Sequence, residues 1–239
     1  MSDERRIMRL AENFIASHVV FLRLFGIIFI KGIKSERKVR ESMLLKEATD
    51  SQANPLQSEK YFEVLAQTRS IVIAGEINQK LAEKVINQLL YLQALSDDPI
   101  KLFINSEGGH VESGDTIHDM IRFVKPPVIV IGTGWVASAA ITIYLGAEKQ
   151  NRYALPNTRF LIHQPAGGVQ GQAADIHIEA TELIKMRKRV DRLISEATGQ
   201  SLEKVDADTD RNFWMNASEA KDYGIVGSII SSIDQIKLI

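Results

Sequence analysis

From Arg69 onward, short apolar runs alternate with stretches whose apolar residues recur every three or four positions. This alternation is the strongest constraint on the fold, because continuous or period-two apolar runs make strands and a 3.6-residue period makes helices. Ser70–Ala74 (SIVIA) reads as a strand ended by Gly75, and Asn78 as the cap of a helix with Leu81, Val85, Leu89 and Leu92 on one face. Pro99 breaks that helix. Ile100–Ile104 reads as the next strand, leading into Glu107-Gly108-Gly109, and a helix through Ile117, Met120, Ile121 and Val124 stops at Pro126-Pro127. Val128–Ile131 is apolar at every position, which suits a strand buried on both faces.

Ala137-Ser138-Ala139-Ala140 then opens a small-residue helix ending at Gly146, and strands are expected at Arg152–Leu155 and Arg159–His163. A glycine-bearing loop precedes a long helix with Ile176, Ala180, Leu183, Val190, Leu193 and Ala197 on one stripe. Ser201 caps a short helix, Ser218–Tyr223 forms another, and Ile225–Ile230 is expected as a closing strand. Strands alternating with helices in this way predict an α/β domain with a largely parallel sheet.

Ahead of this pattern lies a different kind of chain. Residues 1–42 carry nine Lys/Arg against five Asp/Glu, although the whole chain is nearly neutral. Phe14–Ile33 is the most apolar stretch, yet Arg23 near its centre would cost about 2.5–3.5 kcal/mol at mid-bilayer. No small-x-small cleavage site follows it. Two readings stand: an amphipathic helix packing on a partner or on the body, and membrane contact through residues 14–34, with Lys31, Lys34, Arg37, Lys38 and Arg40 facing anionic lipid. Ser35 to about Lys60 reads as a polar linker with some helix. The expected organisation is therefore an extension and linker over 1–60 and a folded domain over 61–239.

The chain has no cysteine, which excludes disulfides, thiolate nucleophiles and Cys-ligated zinc and fits a reducing, cytoplasmic setting. No basic run interleaved with aromatics suggests a nucleic-acid surface, and no motif calls for a cofactor or metal. Reactive side chains fall instead at strand-to-helix junctions, where open α/β sheets concentrate their sites. Ser138 sits at one such junction between small residues, where helix N–H groups gather and substrate has room; a helix N-cap is its alternative role. His163 ends a strand and is one of five histidines, any of which could accept a serine proton near neutral pH. Gly108-Gly109 offers backbone N–H groups to an oxyanion, or simply a tight turn.

Taken together, three stretches resemble the ClpP family of serine peptidases: LFINSEGGHVESGDTIHDMIRFVKPPV, GTGWVASAAITIYLGAEKQNRYALPNTRFLIHQPAGGVQGQAADI and TGQSLEKVDADTDRNFWMNASEAKDYGIVGSII. The resemblance runs from about Arg69 to Ile230. It implies the ClpP/crotonase-like fold of repeated β-β-α units behind an N-terminal helical extension. It implies Ser138 as nucleophile, His163 as base, and Gly109 and Ala139 as oxyanion-hole donors. Where the family places a catalytic aspartate, this chain has Asn212, with Asp208 and Asp210 as nearby acids that a rebuilt loop could use instead. Ser106-Glu107-Gly108-Gly109 stands where the family has Ser-Pro-Gly-Gly.

The resemblance further implies stacked heptameric rings joined through the helix from about Ala173 to Ala197. It also implies unfolded polypeptide substrates and a Clp-type AAA+ unfoldase. Phe103 and Phe123 match docking positions for that unfoldase, while Lys101 replaces an aromatic residue. Two alternatives accompany this reading: a weakly active or regulatory subunit mixing with an active paralogue, motivated by Asn212, and a crotonase-fold acyl-CoA enzyme.

Overall fold

The computed structural model describes residues 55–237; the basic leader, with the helix expected over 14–34, lies outside the described residues. Among the described residues no helix is long and apolar enough to cross a membrane. Helix α1 covers Pro55–Gln67, and from Leu65 the chain forms one compact unit.

Its sheet has seven strands: β1 (Ser70–Ile77), β2 (Ile100–Gly109), β3 (Val128–Ala137), β4 (Arg152–Ala154), β5 (Arg159–Ile162), β6 (Phe213–Asn216) and β7 (Ser228–Ile229). The order β1-β2-β3-β4-β7 is parallel throughout, β5 pairs parallel with β3, and β6 pairs antiparallel with β5. The helices are α2 (Gln79–Leu95), α3 (Val111–Phe123), α4 (Ala139–Tyr144), α5 (Ala173–Thr198), α6 (Leu202–Thr209) and α7 (Ala217–Tyr223).

The local signals in the sequence act as expected. The Asn78 side chain accepts from the Leu81 N–H, and Ser201 does the same for Lys204, each satisfying a free donor in the first turn. Gly199 and Gly224 end α5 and α7 in the left-handed conformation. Strand β3 is buried on both faces: Val128 and Val130 join the main core, while Ile129 and Ile131 pack with Tyr153 and Ile230 in a second cluster.

Two expectations need correction, and one strand was not foreseen. Strand β3 does not stop at Ile131 but runs on to Ala137. Its first part pairs with β4 (Val130↔Arg152 to Gly132↔Ala154) and its second with β5 (Trp135↔Arg159 to Ala137↔Leu161), so the glycines at 132 and 134 let one strand change partners. The closing strand is only Ser228–Ile229, because Ile225 and Val226 are buried as a turn over the end of α7, with both N–H groups donated to Ala220 O. Strand β6 has no counterpart in the sequence reading; its alternation is masked by Trp214, exposed on the outer face beside Trp135 at 6.0 Å between ring centroids.

Helix α5 is unlike the others. Its C-terminal end packs through Val190 and Ile194, but Ile176, Ile178 and Ile184 are exposed, and residues 173–180 are exposed without exception. The expected single apolar stripe therefore meets the core only in its last turns.

Candidate active site

The register of β3 and β5 brings the site together. Pairing Ala137 with Leu161 makes the residues just beyond these strands, Ser138 and His163, neighbours at the same end of the sheet. The Ser138 N–H donates to Leu161 O at 3.0 Å, which fixes the turn. His163 Nε2 lies 2.7 Å from Ser138 Oγ.

The backbone of Ser138 separates its two sequence roles. It has φ 56° and ψ −123°, a region that non-glycine residues enter only at a cost of about 1–3 kcal/mol. Its side chain makes no capping hydrogen bond to α4. A cap needs extended backbone angles and an oxygen turned back onto the helix. Here the sharp strand-to-helix turn aims Oγ away from the helix and at the imidazole, the geometry of a nucleophile elbow.

His163 is half-buried, and burial pushes its pKa below the ordinary imidazole value of 6.5. The ring is therefore neutral at pH 7. With the proton on Nδ1, Nε2 is free to accept from the serine hydroxyl.

Close packing around Ser138 requires glycine. A Cβ on Gly108 would come within 2.6 Å of Ser138 Cβ and 2.7 Å of Ala137 O, and within 3.1 Å of Ala139 N. A Cβ on Gly109 would collide with the Ile77 backbone of β1. The two glycines have φ of 103° and 145°, so both space and conformation exclude other residues. Ala139 begins α4, and its N–H has no acceptor one turn back within the helix.

Asn212 lies in the loop between α6 and β6 and lines a cavity of about 550 Å³ with His163, Gln164, Asp210 and Arg211. No hydrogen bond joins Asn212 to His163 among the described residues. The nearby acids are engaged elsewhere. Asp208 accepts from Lys204 at 2.6 Å and from the Tyr223 hydroxyl at 2.8 Å. Asp210 accepts from the Gln164 amide through its carbonyl at 2.8 Å and its carboxylate at 3.3 Å. Neither bonds the imidazole.

Sequence reasoning assigned no role to Gln164 or Arg187, which join the segment after His163 to α5 and α6. Gln164 lies inside the LPNTRFLIHQPAGG stretch that carries the resemblance, whereas no sequence signal distinguishes Arg187 from the other charges of its helix.

The family model described as Clp protease matches residues 51–233. The "ATP-dependent Clp protease proteolytic subunit 3" of Rhizobium meliloti is 60% identical over 172 residues, covering 72% of this chain and 88% of the relative. The "ATP-dependent Clp protease proteolytic subunit 2" of Pseudomonas aeruginosa is 53% identical over 179 residues, covering 75% and 89%. Among solved structures, ClpP1 from Listeria monocytogenes is 62% identical and superposes with a TM-score of 0.68, covering 74% of this chain and 99% of that one. An asparagine-to-aspartate variant of the same protein superposes with a TM-score of 0.70. This extent of likeness, over the segments that carry the elbow serine and its histidine, removes the acyl-CoA alternative: the chain belongs to the Clp protease family and is a serine peptidase subunit of the Clp type.

Proposed function

We propose that Ser138 attacks the scissile carbonyl of unfolded polypeptides and that His163 takes its proton and passes it to the leaving amine. The observation that carries this reading is the 2.7 Å approach of His163 Nε2 to a serine held on a strained turn. Ala139 N–H and Gly109 N–H are assigned to the oxyanion of the tetrahedral intermediate, with Gly108 kept bare so that β2 can lie against the nucleophile. Asn212 is assigned the third position, where an amide oxygen can hold the Nδ1–H of the ring without supplying charge. The test is a fluorophosphonate probe followed by peptide mapping. Labelling of Ser138 alone supports the assignment, and labelling of another residue, or none, sinks it.

The pKa direction of His163 fixes the acid limb of activity. The base works only when neutral, so kcat/KM falls as pH drops through a pKa that burial holds below 6.5. Peptide hydrolysis measured from pH 5 to 8 is expected to reach half its plateau below pH 6.5; a midpoint well above that value would contradict the half-buried, neutral base.

The relatives are proteolytic subunits of an ATP-dependent protease, so this subunit is assigned to ring-shaped oligomers working with a Clp ATPase. Stacked heptameric rings are the proposed form, with the uncovered N-terminal part of α5 as the inter-ring contact. Phe123, 76% exposed, is the candidate anchor for apolar loops of an AAA+ unfoldase, with Phe103 and Lys101 on the neighbouring strand β2. Residues 61–239 are proposed as the peptidase domain and 1–60 as a separable extension. Deleting residues 1–42 is then expected to leave folding and ring mass unchanged in native mass measurement, consistent with a family match that begins at residue 51. A monomeric or insoluble truncation would show that the leader completes the structure. Flotation of full-length and truncated chains with anionic vesicles tests membrane contact through residues 14–34.

A second reading is favoured by one observation, the amide at position 212. A weakly active or regulatory subunit mixing with an active paralogue would show slow turnover alone and full activity in mixed rings.

A further inference from the structure

We infer that Arg187 is a positioning residue for the peptidase site, acting through Gln164 to hold the base-bearing segment against the loop that carries Asn212. The inference rests on the Ser138–His163 reading. Gln164 directly follows the base, and every polar group of its side chain is used. Its Nε2 donates to Asp210 O at 2.8 Å and Asp210 Oδ1 at 3.3 Å, and its Oε1 accepts from Arg187 Nη1 at 3.0 Å. Its backbone N–H donates to Thr209 O at 2.6 Å. The position of His163 relative to residues 209–212 is thus set by the Gln164 amide and backbone, and the amide is itself aimed by the guanidinium.

Arg187 reaches the site from α5 and gathers carboxylates from three directions. Its Nη2 donates to Asp206 Oδ1 of α6 at 3.0 Å and lies 3.7 Å from Asp210 Oδ1 in the loop. Its Nε lies 3.7 Å from Asp191 Oδ2 one turn along α5. Asp191 is buried and accepts from Thr209 Oγ1 at 2.8 Å, so it holds the same residue whose carbonyl receives the Gln164 N–H. One cation therefore sits among three carboxylates and one amide oxygen. Removing it would leave Asp191, Asp206 and Asp210 to repel one another and would free Gln164 to rotate. The planar fork of arginine serves Gln164 and Asp206 at once, whereas the single ammonium of a lysine cannot reproduce that geometry. Displacement of a base by about 1 Å can cost up to 10²-fold in rate.

The test uses full-length assembled protein carrying Gln164→Ala, Arg187→Ala, Arg187→Lys, or both alanine changes, with native mass confirming assembly. Peptide kcat and KM are measured with the rate of fluorophosphonate labelling at Ser138. Each alanine change is expected to lower kcat and labelling rate about tenfold, with KM within about twofold of the parent. The double variant should be no slower than the slower single, because both changes break one link. Arg187→Lys should recover part of the loss. Should Arg187→Ala fail to assemble, Gln164→Ala decides, since it leaves Arg187 its Asp206 and Asp191 partners. Parent-like rates in Gln164→Ala, or losses that multiply in the double variant, would overturn the positioning role while leaving Ser138 and His163 in place. A parent chain unlabelled at Ser138 would overturn the site reading and this inference with it.

Discussion

Ser138→Ala is expected to abolish peptide cleavage and fluorophosphonate labelling while leaving the fold and assembly intact. In another serine peptidase, loss of the nucleophile lowers turnover by about 10⁶-fold, and a fall to the limit of detection is expected here. The structural cost is small for a definite reason. The Ser138 side chain caps nothing, and among the described residues it hydrogen-bonds only to His163, so about 1 kcal/mol is at stake. The backbone strain at φ 56° is common to serine and alanine and does not change between them. A shift in Tm of about 2–4 °C at most should accompany the loss of activity. His163→Ala should be as inactive, since an unassisted hydroxyl is a weak nucleophile near neutral pH. Cleavage at the parent rate in either variant would place the chemistry elsewhere.

Asn212→Asp is expected to raise turnover. Among the described residues no carboxylate lies at hydrogen-bond distance from the His163 ring to stabilise the imidazolium of the proposed mechanism: Asp208 and Asp210 are held by Lys204, Tyr223, Gln164 and Arg187, and Asn212 is neutral. A carboxylate at position 212 would stabilise that charge. The gain is bounded by the loss of about 10⁴-fold that the reverse change causes in a peptidase with a complete triad. A smaller gain, about 10- to 100-fold, is expected, because a new charge beside Asp210 also meets repulsion and partial desolvation. The gain should lie in kcat, with KM little changed, and should vanish when combined with His163→Ala. There is also a sign to check. A carboxylate favours the protonated ring, so the His163 pKa should rise from its lowered value and the acid limb of kcat/KM should move to higher pH. Unchanged turnover together with an unmoved acid limb, in assembled rings, would remove Asn212 from the third position.

Much of the fold was legible in the sequence because the determinants are local. Helical spacing in α2 and α3, the caps at Asn78 and Ser201, and the stops at Gly199 and Gly224 act within a few residues of themselves. The buried strand at 128–131 was legible for the same reason: burial on both faces leaves no polar position to disguise it. The extension of β3 to Ala137 was not, because a strand that exchanges β4 for β5 midway carries glycines that read as its end. Nor was β6, whose exposed Trp214 is accounted for only by neighbours from other strands, Trp135 and Arg159.

The same division runs through the site. Residue type and position singled out Ser138 and His163 as candidates, but by themselves they favoured a helix cap over a nucleophile for Ser138. The choice belongs to the tertiary structure, since the register Ala137↔Leu161 and the backbone angles of Ser138 depend on β3 and β5 meeting side by side, which brings Ser138 and His163 together across 25 positions of chain. Gly108-Gly109 was legible as a place of close approach, while the atoms approached, Ser138 on one side and Ile77 on the other, were set by the sheet. Asn212 was read from its neighbours in the chain. That Asp208 and Asp210 are bound to other partners, and that Arg187 ties Gln164 to α5, are facts of side chains meeting across α5, α6 and the loop beyond β5. Such pairings leave no periodic trace in a sequence, because a charged residue on a helix looks the same whether it faces water or another element.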